Sequence, residues 1–157
     1  MSTASIVESY LSTHNIPYEV VPHARSTTSL RTASAAHIQP ERIAKAVVLE
    51  YDDGYMLAVI PANRHVRLGQ LRQVMGRDLR MATEYGISRL FPDCDMGAVP
   101  PIGYAYGVES IWDESLMEQP DLYFEGGDHE SLVHMSTKDF VEMMGDALHG
   151  RFTTSIM

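Results

Sequence analysis

Lys45 is the residue whose type and position in this sequence most strongly suggest chemistry. Only two of the twelve basic residues are lysines, Lys45 and Lys138, so arginine is the ordinary cation of the chain. Lys45 directly precedes the apolar run 46–51, which predicts an ammonium at the start of a buried strand, facing a pocket. Such an ammonium offers three donors, and burial can lower its pKa. The alternative is a structural lysine whose stem packs on the strand end while its head reaches solvent.

A loop rich in proline and glycine, residues 97–103 (GAVPPIG), is the second candidate. Its two prolines restrict φ and remove two backbone donors, whereas Gly97 and Gly103 permit conformations or close approaches that a side chain would block. Such a stiff loop can aim its remaining N–H groups at a carbonyl or phosphate oxygen. A plain tight connection between two elements explains the same residues.

A histidine between two acids, His129, is the third candidate. Asp128 and Glu130 favour its protonated form, so it can act as an acid, a base or an orienting group. A polar hairpin turn is the structural alternative. Other centres are weaker, because the seven histidines show no metal-ligand spacing and Cys94 lies between two aspartates that oppose thiolate formation. We therefore predict that the protein uses no metal and no cofactor.

Charge is distributed unevenly along the chain. The formal net charge of −9 argues against non-specific binding to nucleic acid or to a membrane. Residues 1–80 carry nine Lys/Arg and seven Asp/Glu, whereas residues 81–157 carry three and fourteen. A polyanion would therefore bind the arginine-rich stretch before residue 81, unless these arginines form a merely solvated helix face. The predicted phosphate contacts are Arg64, Arg67 and Arg72.

The elements that must position these residues are helices interspersed with hairpins. Two apolar runs, 46–51 and 55–60, flank Asp52-Asp53-Gly54, which is typical of a hairpin whose strands are buried on both faces. Ser26, Thr27 or Thr28 can cap the second helix. Further strands are expected at 18–22, 79–82, 104–110, 121–125 and 131–135. Helices are expected at about 4–14, from the cap at 26–28 through the alanine-rich stretch 33–38, and at 68–75, 83–91 and 139–148. This order predicts a mixed α/β fold with a partly antiparallel central sheet and packed helices.

Length and composition bound the organisation of the protein. A chain of 157 residues with 45% hydrophobic residues suits one compact domain. It has no apolar run long enough to span a bilayer and no secretory signal pattern. Its single cysteine suits a reducing compartment. We therefore expect a cytoplasmic protein that binds no membrane, with one domain over residues 1–149 and a flexible tail over residues 150–157.

Three segments, taken in order, resemble the YbaK-like family, the free-standing relatives of the editing domain inserted in bacterial prolyl-tRNA synthetases. They are residues 23–61, the Gly-x-x-x-Pro loop at 97–103, and residues 124–140 (FEGGDHESLVHMSTKDF). The resemblance spans nearly the whole chain. It implies a compact mixed α/β domain that hydrolyses the ester of mischarged aminoacyl-tRNA in trans, without a metal or cofactor, and so supports the fidelity of translation.

The resemblance also implies roles for individual residues. The family's central lysine falls on Lys45 and its substrate-gripping glycine loop on Gly97, with Pro101 and Gly103 binding substrate. A late histidine that some members use matches His129. The terminal ribose hydroxyl of the tRNA would help to activate water, and Lys45 would either hold the terminal phosphate or polarise the ester. The implied partners are the acceptor end of a mischarged tRNA and an aminoacyl-tRNA synthetase.

A non-catalytic binding module is the alternative function. Such a relative would keep the fold and the pocket but bind a small ligand or a synthetase without turnover. The acidic second half of the chain favours this alternative, because phosphate contacts dominate affinity for tRNA. Lys45 and the loop at Gly97 favour the enzyme. The sequence does not identify the amino acid or the tRNA, beyond favouring a small side chain over an aromatic one, and it does not give the oligomeric state.

Overall fold

The computed structural model describes residues 4–25, 28–52, 54–95 and 97–156. Within these residues, five α-helices are interspersed among ten strands. No helix in these ranges combines the length and the apolar character needed to cross a membrane. The helices are α1 (Ser5–Thr13), α2 (Ser29–Ala35), α3 (Leu68–Met75), α4 (Glu84–Leu90) and α5 (Thr137–Met144). The strands are β1 (Glu19–Pro22), β2 (Ala44–Tyr51), β3 (Gly54–Pro61), β4 (Arg64–Val66), β5 (Arg80–Met81), β6 (Glu109–Asp113), β7 (Asp121–Glu125), β8 (Ser131–Ser136), β9 (Leu148–Gly150) and β10 (Thr153–Ser155).

A five-stranded sheet with the order β5-β2-β3-β6-β9 forms the centre of the fold. Strands β2 and β3 are the predicted hairpin, in which Ala44 lies opposite Pro61 and Tyr51 opposite Gly54. Asp53, in the predicted turn, lies outside the described residues. Strand β6 runs parallel to β3 and to β9. The sheet is therefore mixed, and the predicted single domain of the mixed α/β class is confirmed.

A second sheet packs beside the central one. Its three strands, in the order β1-β8-β7, are all antiparallel. Ile43, just before β2, forms a parallel bridge with Tyr123 of β7. The main core lies around this junction and includes Trp112, Phe124 and Phe140, each at most 3% exposed. Because large apolar side chains are buried there, the end of β7 is held close to the beginning of β2.

Side-chain caps begin three of the helices. The hydroxyl of Thr28 accepts a hydrogen bond from the backbone N–H of Arg31 at 3.1 Å and starts α2. Thr83 and Ser136 cap α4 and α5 in the same way. Each cap satisfies a donor that the helix leaves unpaired. Thr28 was one of the three predicted caps of α2, and the other two, Ser26 and Thr27, lie outside the described residues.

Three predicted elements differ from the structure, and the first is α2, which was predicted to run through Ile38 but ends at Ala35. The segment 104–110, predicted as a strand, begins with a 3-10 turn at Gly103–Tyr106, and β6 starts only at Glu109. Gly107 separates the two, because its φ of +70° suits a turn and not a strand. The last helix was predicted to reach Leu148 but ends at Met144, where Gly145 follows with a φ of +60°. Leu148 instead begins β9.

The C-terminal segment, predicted as a flexible tail over residues 150–157, is packed in the structure as far as residue 156. Strand β10 pairs antiparallel with β4, and Thr153 lies opposite Val66. Phe152 is 2% exposed, and its backbone N–H donates to Asp113 Oδ1 at 2.9 Å. These contacts join segments far apart in sequence, so the local pattern of the tail carries no sign of them.

Gly103 allows a test of whether this predicted site residue is fixed by packing. A Cβ at Gly103 would collide with Ser110 Oγ and with the carbonyl oxygen of Val108. We expect Gly103→Ala to lower the free energy of unfolding by about 1–3 kcal/mol, the usual cost of overpacking. Gly69→Ala in α3 is the control, because its Cβ would meet no described atom within 4 Å. It should raise the free energy of unfolding by about 0.5–1 kcal/mol. Urea unfolding measures both, and a Gly103→Ala variant as stable as the parent would contradict the packing argument.

Candidate functional site

A cavity of about 390 Å³ opens at the edge of β2. Strand β5 pairs only with Leu49 and Glu50 of β2, so in the described chain the beginning of β2 has no strand neighbour on that side. The first half of β2, the starts of α2 and α4, the loop after α4 and the end of β7 surround the opening. Most of its walls are small and apolar. The apolar lining includes Ala44, Ala46, Val48, Ala62, Ala82 and Val99.

Lys45 lies in this cavity, as the second residue of β2. Its position in the hairpin is fixed by the register, which places it opposite Ile60. Burial lowers the pKa of its ammonium. Among the described residues its Nζ has no hydrogen-bond or ion-pair partner, so its donors are available to a ligand. Lys45 also lines a smaller cavity of about 210 Å³ beside His65 and Leu68, and thus stands between two openings.

Gly97 lies at the same cavity as Lys45, together with Val99. Its φ of +85° is a conformation that favours glycine, so a side chain here would strain the loop as well as narrow the opening. Pro101 and Gly103 are buried, and neither belongs to the described lining of the cavity. The structure therefore brings Gly97 to the same cavity as Lys45, whereas Pro101 and Gly103 are buried in the same loop, outside the described lining.

His129 lies in a buried loop and not in the described lining of the cavity. It is 4% exposed and has a φ of +61°. The loop is held by Asp128, whose Oδ1 accepts the backbone N–H groups of Glu130 and Ser131 at 3.0 and 2.9 Å. A carboxylate that accepts two backbone donors is a strong local constraint. The sequence motif around His129 therefore has a structural role, and the structure does not bring His129 to the opening with Lys45.

Glu125 is the residue of this cavity that sequence reasoning missed. It ends β7, is 6% exposed, and lines the opening together with Lys45 and Gly97. Its Oε1 accepts a hydrogen bond from Thr32 Oγ1 at 2.8 Å and lies 3.6 Å from His23 Nε2. The available signal was an acid directly after the apolar strand run LYF and before two glycines.

Some neighbours of Glu125 raise the pKa of its carboxyl and others lower it. Burial raises the pKa of the Glu125 carboxyl, and Asp128 raises it further. The hydrogen bond from Thr32 and the nearby His23 and His129 oppose this shift. Burial is the largest of these effects, because a carboxylate loses its hydration in an apolar surrounding. Glu125 therefore binds its proton more readily than an exposed glutamate does.

The predicted phosphate contacts lie outside the larger cavity. Arg64 Nε donates to Thr153 Oγ1 at 2.6 Å, and Arg72 Nε donates to the carbonyl oxygen of Leu79 at 2.8 Å. These two arginines fasten neighbouring segments of the fold. Arg67, just before α3, is exposed, and among the described residues its side chain has no polar partner. Its neighbours in sequence line the smaller cavity. Of the three arginines, Arg67 is best placed to meet a phosphate.

Neither a cysteine nucleophile nor a metal ion finds support in the described residues. Burial raises the pKa of the Cys94 thiol to about 12, since Asp93 and Asp95 add to the effect and a hydrogen bond with Tyr106 only partly opposes it. The thiol is thus protonated at neutral pH. Among the described residues, no group of three or more His, Cys, Asp or Glu side chains could hold a metal ion.

The arrangement can bind a small polar molecule with an apolar part. Lys45 offers a cation that can hold an anion or polarise a carbonyl oxygen. Glu125 offers a buried acceptor in the same space, and the alanine and valine walls offer a surface for an aliphatic group. Lys45 arises from the central sheet and Glu125 from the second sheet, and the two sheets are joined near the cavity by the bridge between Ile43 and Tyr123.

Glu125 gives a prediction for stability against pH. Its folded pKa lies above the unfolded value, so its contribution to stability is greatest below the unfolded pKa and is lost as pH rises through the folded pKa. Glu125→Gln keeps an acceptor for Thr32 but removes the charge. We expect its melting temperature to exceed that of the parent at about pH 8, and the difference to shrink towards about pH 4.

The control for this stability prediction is Glu130→Gln. The Glu130 side chain is 38% exposed and pairs with Arg25 at 3.6 Å, so its removal should change stability little at either pH. Thermal unfolding followed by circular dichroism measures both variants. A Glu125→Gln variant that melts below the parent at about pH 8 would contradict the assigned cost of the buried charge.

Comparison with solved structures identifies several relatives of the same fold. A protein provisionally described as a trans-editing enzyme for prolyl tRNA synthetase is 25% identical, with 99% of each chain covered and a TM-score of 0.86. A scaffold protein from a study of epitope backbone grafting by computational design is 25% identical, with 97% of each chain covered and a TM-score of 0.85. A protein provisionally described as a signal transduction protein, from Marinobacter aquaeolei, is 20% identical with a TM-score of 0.77. The match covers 96% of this chain but 30% of that one, so the fold also occurs within a longer chain.

Comparison with sequence families gives a more specific result. No curated protein sequence matches the chain significantly. The model of the aminoacyl-tRNA editing domain, however, matches residues 23–143, which include Lys45, Gly97 and Glu125. The match covers well over half of the chain and agrees with the resemblance seen in the sequence. The chain therefore belongs to the aminoacyl-tRNA editing domain family.

Proposed function

We propose that this protein is a trans-editing hydrolase that deacylates mischarged aminoacyl-tRNA. The observation that carries the proposal is the meeting of Lys45 and Gly97 at one cavity, in a chain of the editing-domain family. The structural relative described as a trans-editing enzyme, which aligns over 99% of the chain, supports the same role. The coarser conclusion, a role in aminoacyl-tRNA editing, follows from the family itself.

Hydrolysis of an aminoacyl ester makes modest demands on a protein. Water attacks the ester carbonyl, the bond to the terminal ribose oxygen breaks, and the free amino acid and the ribose hydroxyl leave. The enzyme has to position the ester and stabilise the developing negative oxygen. No nucleophilic side chain is required, which agrees with the protonated thiol of Cys94. The ribose hydroxyl beside the ester can assist in activating the water.

The position of Lys45 suits a contact with either the ester carbonyl or the terminal phosphate of the tRNA. It stands between the larger cavity, which suits the aminoacyl group, and the smaller one beside the β4–α3 segment. The terminal nucleotide would then approach from the side of Arg67. In this orientation the ammonium lies where the nucleotide joins the amino acid, within reach of the ester carbonyl or the terminal phosphate. The small apolar walls favour an amino acid with a small side chain over an aromatic one.

The contact with RNA is proposed to be small. The second half of the chain carries fourteen acids against three Lys/Arg, so the body of a tRNA would be repelled there. We infer that the protein binds only the acceptor end, acts in the cytoplasm where translation takes place, and relies on an aminoacyl-tRNA synthetase for further contacts. Arg64 and Arg72 form hydrogen bonds within the fold, so fewer arginines are available to bind phosphates. This observation favours the alternative, a binding module without turnover.

Lys45 provides the direct test of the proposed enzyme. Lys45→Ala should lower deacylation of the preferred mischarged tRNA by at least about a hundredfold, the scale of losing one oxyanion-stabilising group. Lys45→Arg should fail as well, because a planar guanidinium differs in shape from an ammonium. Stability should change little, since Lys45 has no polar partner among the described residues. Release of labelled amino acid from a panel of mischarged tRNAs measures the effect.

The matched control is Lys138→Ala, which removes the other lysine, exposed on α5. It should leave deacylation unchanged. If Lys45→Ala turns over as fast as the parent, Lys45 does not belong to the active site. If the parent releases no amino acid from any tRNA of the panel yet binds an acylated acceptor end, the binding module replaces the enzyme.

Arg67 provides the test of the RNA contact. Two to four phosphate contacts predict a slope of log affinity against log salt of about −2 to −4. Arg67→Gln should flatten this slope by about 0.7–0.9, without altering the preference among amino acids. Arg72→Gln should chiefly lower stability, because it removes the bond to the carbonyl of Leu79. Arg151→Gln, in the acidic half, is the control and should leave the slope unchanged. An unchanged slope for Arg67→Gln would place the docking surface elsewhere.

A further inference from the structure

The two oxygens of Glu125 have different surroundings. Oε1 faces the protein, where Thr32 Oγ1 donates to it at 2.8 Å and His23 Nε2 lies at 3.6 Å. Oε2 is buried and has no hydrogen-bond partner among the described residues. Buried polar atoms in folded proteins are nearly always hydrogen-bonded. Because Glu125 is 6% exposed and lines the cavity, the unsatisfied Oε2 points to a ligand that carries a donor.

His23 explains why Oε1 is committed to the protein. The side chain of His23 is fully buried (0% exposed). Its Nδ1 is bonded to the carbonyl oxygen of Ala24 at 2.7 Å, and since a carbonyl oxygen only accepts, Nδ1 is the donor. Nε2 is then the ring nitrogen nearest to Glu125, 3.6 Å from Oε1. Oε1 therefore lies between His23 and Thr32, on the side of the protein.

We propose that Glu125 recognises the protonated α-amino group of the aminoacyl ester, with Oε2 accepting a hydrogen bond from the ammonium. This inference rests on the proposed function and names the part of the substrate that the cavity selects. Every aminoacyl ester has an electron-rich carbonyl oxygen and, one carbon away, a cationic amine. The cavity has the complementary pair, with Lys45 as the cation and Glu125 as the buried acceptor. A hydrogen bond between two charged partners is among the strongest that a small ligand can form.

The other described side chains of the lining offer the amine little. The hydroxyl oxygen of Thr28 already accepts the backbone N–H of Arg31 at 3.1 Å. Ala44, Ala46, Ala62 and Val99 have no polar side-chain atoms. A desolvated carboxylate oxygen in such walls is costly unless a donor is bonded to it. Oε2 has no such donor among the described residues, and the ligand's ammonium would supply one. An acylated amine is neutral and keeps a single N–H, so it would form a weaker bond with Oε2 than an ammonium does. Peptidyl-tRNA and other N-acylated aminoacyl-tRNAs would therefore be spared, which protects the products of correct translation.

The charged groups around Glu125 predict how recognition depends on pH. Lys45 lines the same cavity, His23 Nε2 lies 3.6 Å from Oε1, and His129 and Asp128 lie in the following loop, near enough to act on the charge of Glu125. Binding requires an ionised Glu125 and a protonated amine. Affinity should fall at low pH as Glu125 takes up its proton, and at high pH as the α-amino group, with an ordinary pKa of about 8, loses its own.

The test uses the full chain and three pairs of ligands that cannot be hydrolysed. These are adenosine analogues with an amide-linked alanyl, seryl or valyl group at the 3′ position, each with a free amine or with the amine acetylated. Calorimetric titration compares the parent, Glu125→Gln and the control Glu130→Gln. For the parent and the control, acetylation should weaken binding at least about tenfold, and for Glu125→Gln by less than about twofold.

The outcomes separate this inference from the proposed function. Equal binding of the free and acetylated forms by the parent, a preference that persists in Glu125→Gln, or no binding of any free-amine analogue at about 10 mM would each overturn the inference. The comparison of free and acetylated ligands with the parent protein can overturn the inference without any variant. A Glu125→Gln protein that fails to fold therefore does not weaken the test. Deacylation is measured separately. Amine-dependent binding without turnover would support the recognition by Glu125 and refute the enzyme, whereas turnover without amine dependence would do the reverse.

Discussion

The pairing of β2 with β3 is the interaction on which the site depends. Eight residue pairs run along the whole hairpin, from Ala44 with Pro61 to Tyr51 with Gly54. Strand β3 is in turn held by β6 in the middle of the sheet. On its other side β2 meets only the two residues of β5, and its beginning stays open. A free strand edge is usually a hazard for aggregation. Here a loop, a helix start and the end of β7 surround it, and the enclosed space becomes a cavity.

Burial changes the chemistry of this cavity in a consistent way. It lowers the pKa of Lys45 and raises the pKa of Glu125, because in both cases it disfavours the charged form. Neither residue is paired with the other in the structure. The fold thus keeps Lys45 Nζ and Glu125 Oε2 at one opening without hydrogen-bond partners among the described residues. This arrangement lowers stability relative to an apolar core. Such a cost is typical of functional sites.

The acidic half of the chain also has a structural explanation. Asp113 is 1% exposed and accepts the backbone N–H of Phe152, which fastens the C-terminal segment. Asp128 is 2% exposed and accepts two backbone N–H groups in the loop after β7. These carboxylates act as local anchors for irregular backbone. Part of the negative charge is therefore needed by the fold. This charge repels RNA, and a contact limited to the acceptor end would avoid most of that repulsion.

The sequence by itself determined the features that local pattern controls. Continuous apolar runs around Asp52 and Gly54 predicted the hairpin, and the residue before the first run identified Lys45. Gly97 was also found from sequence, because proline and glycine restrict the backbone without help from distant residues. The family resemblance, the mixed α/β class and most helices followed from the same kinds of signal.

Only the tertiary structure decided what meets Lys45. Thr32 and Glu125, whose hydrogen bond fixes one wall of the cavity, are 93 positions apart. Arg64 and Thr153, which join the last strand to β4, are 89 positions apart. The sequence motif drew attention to His129 in the loop after β7, whereas the described lining of the cavity contains Glu125, the last residue of that strand. Local spacing fixes the direction of a side chain relative to its own element, whereas burial, charge partners and access to a cavity depend on elements distant in sequence.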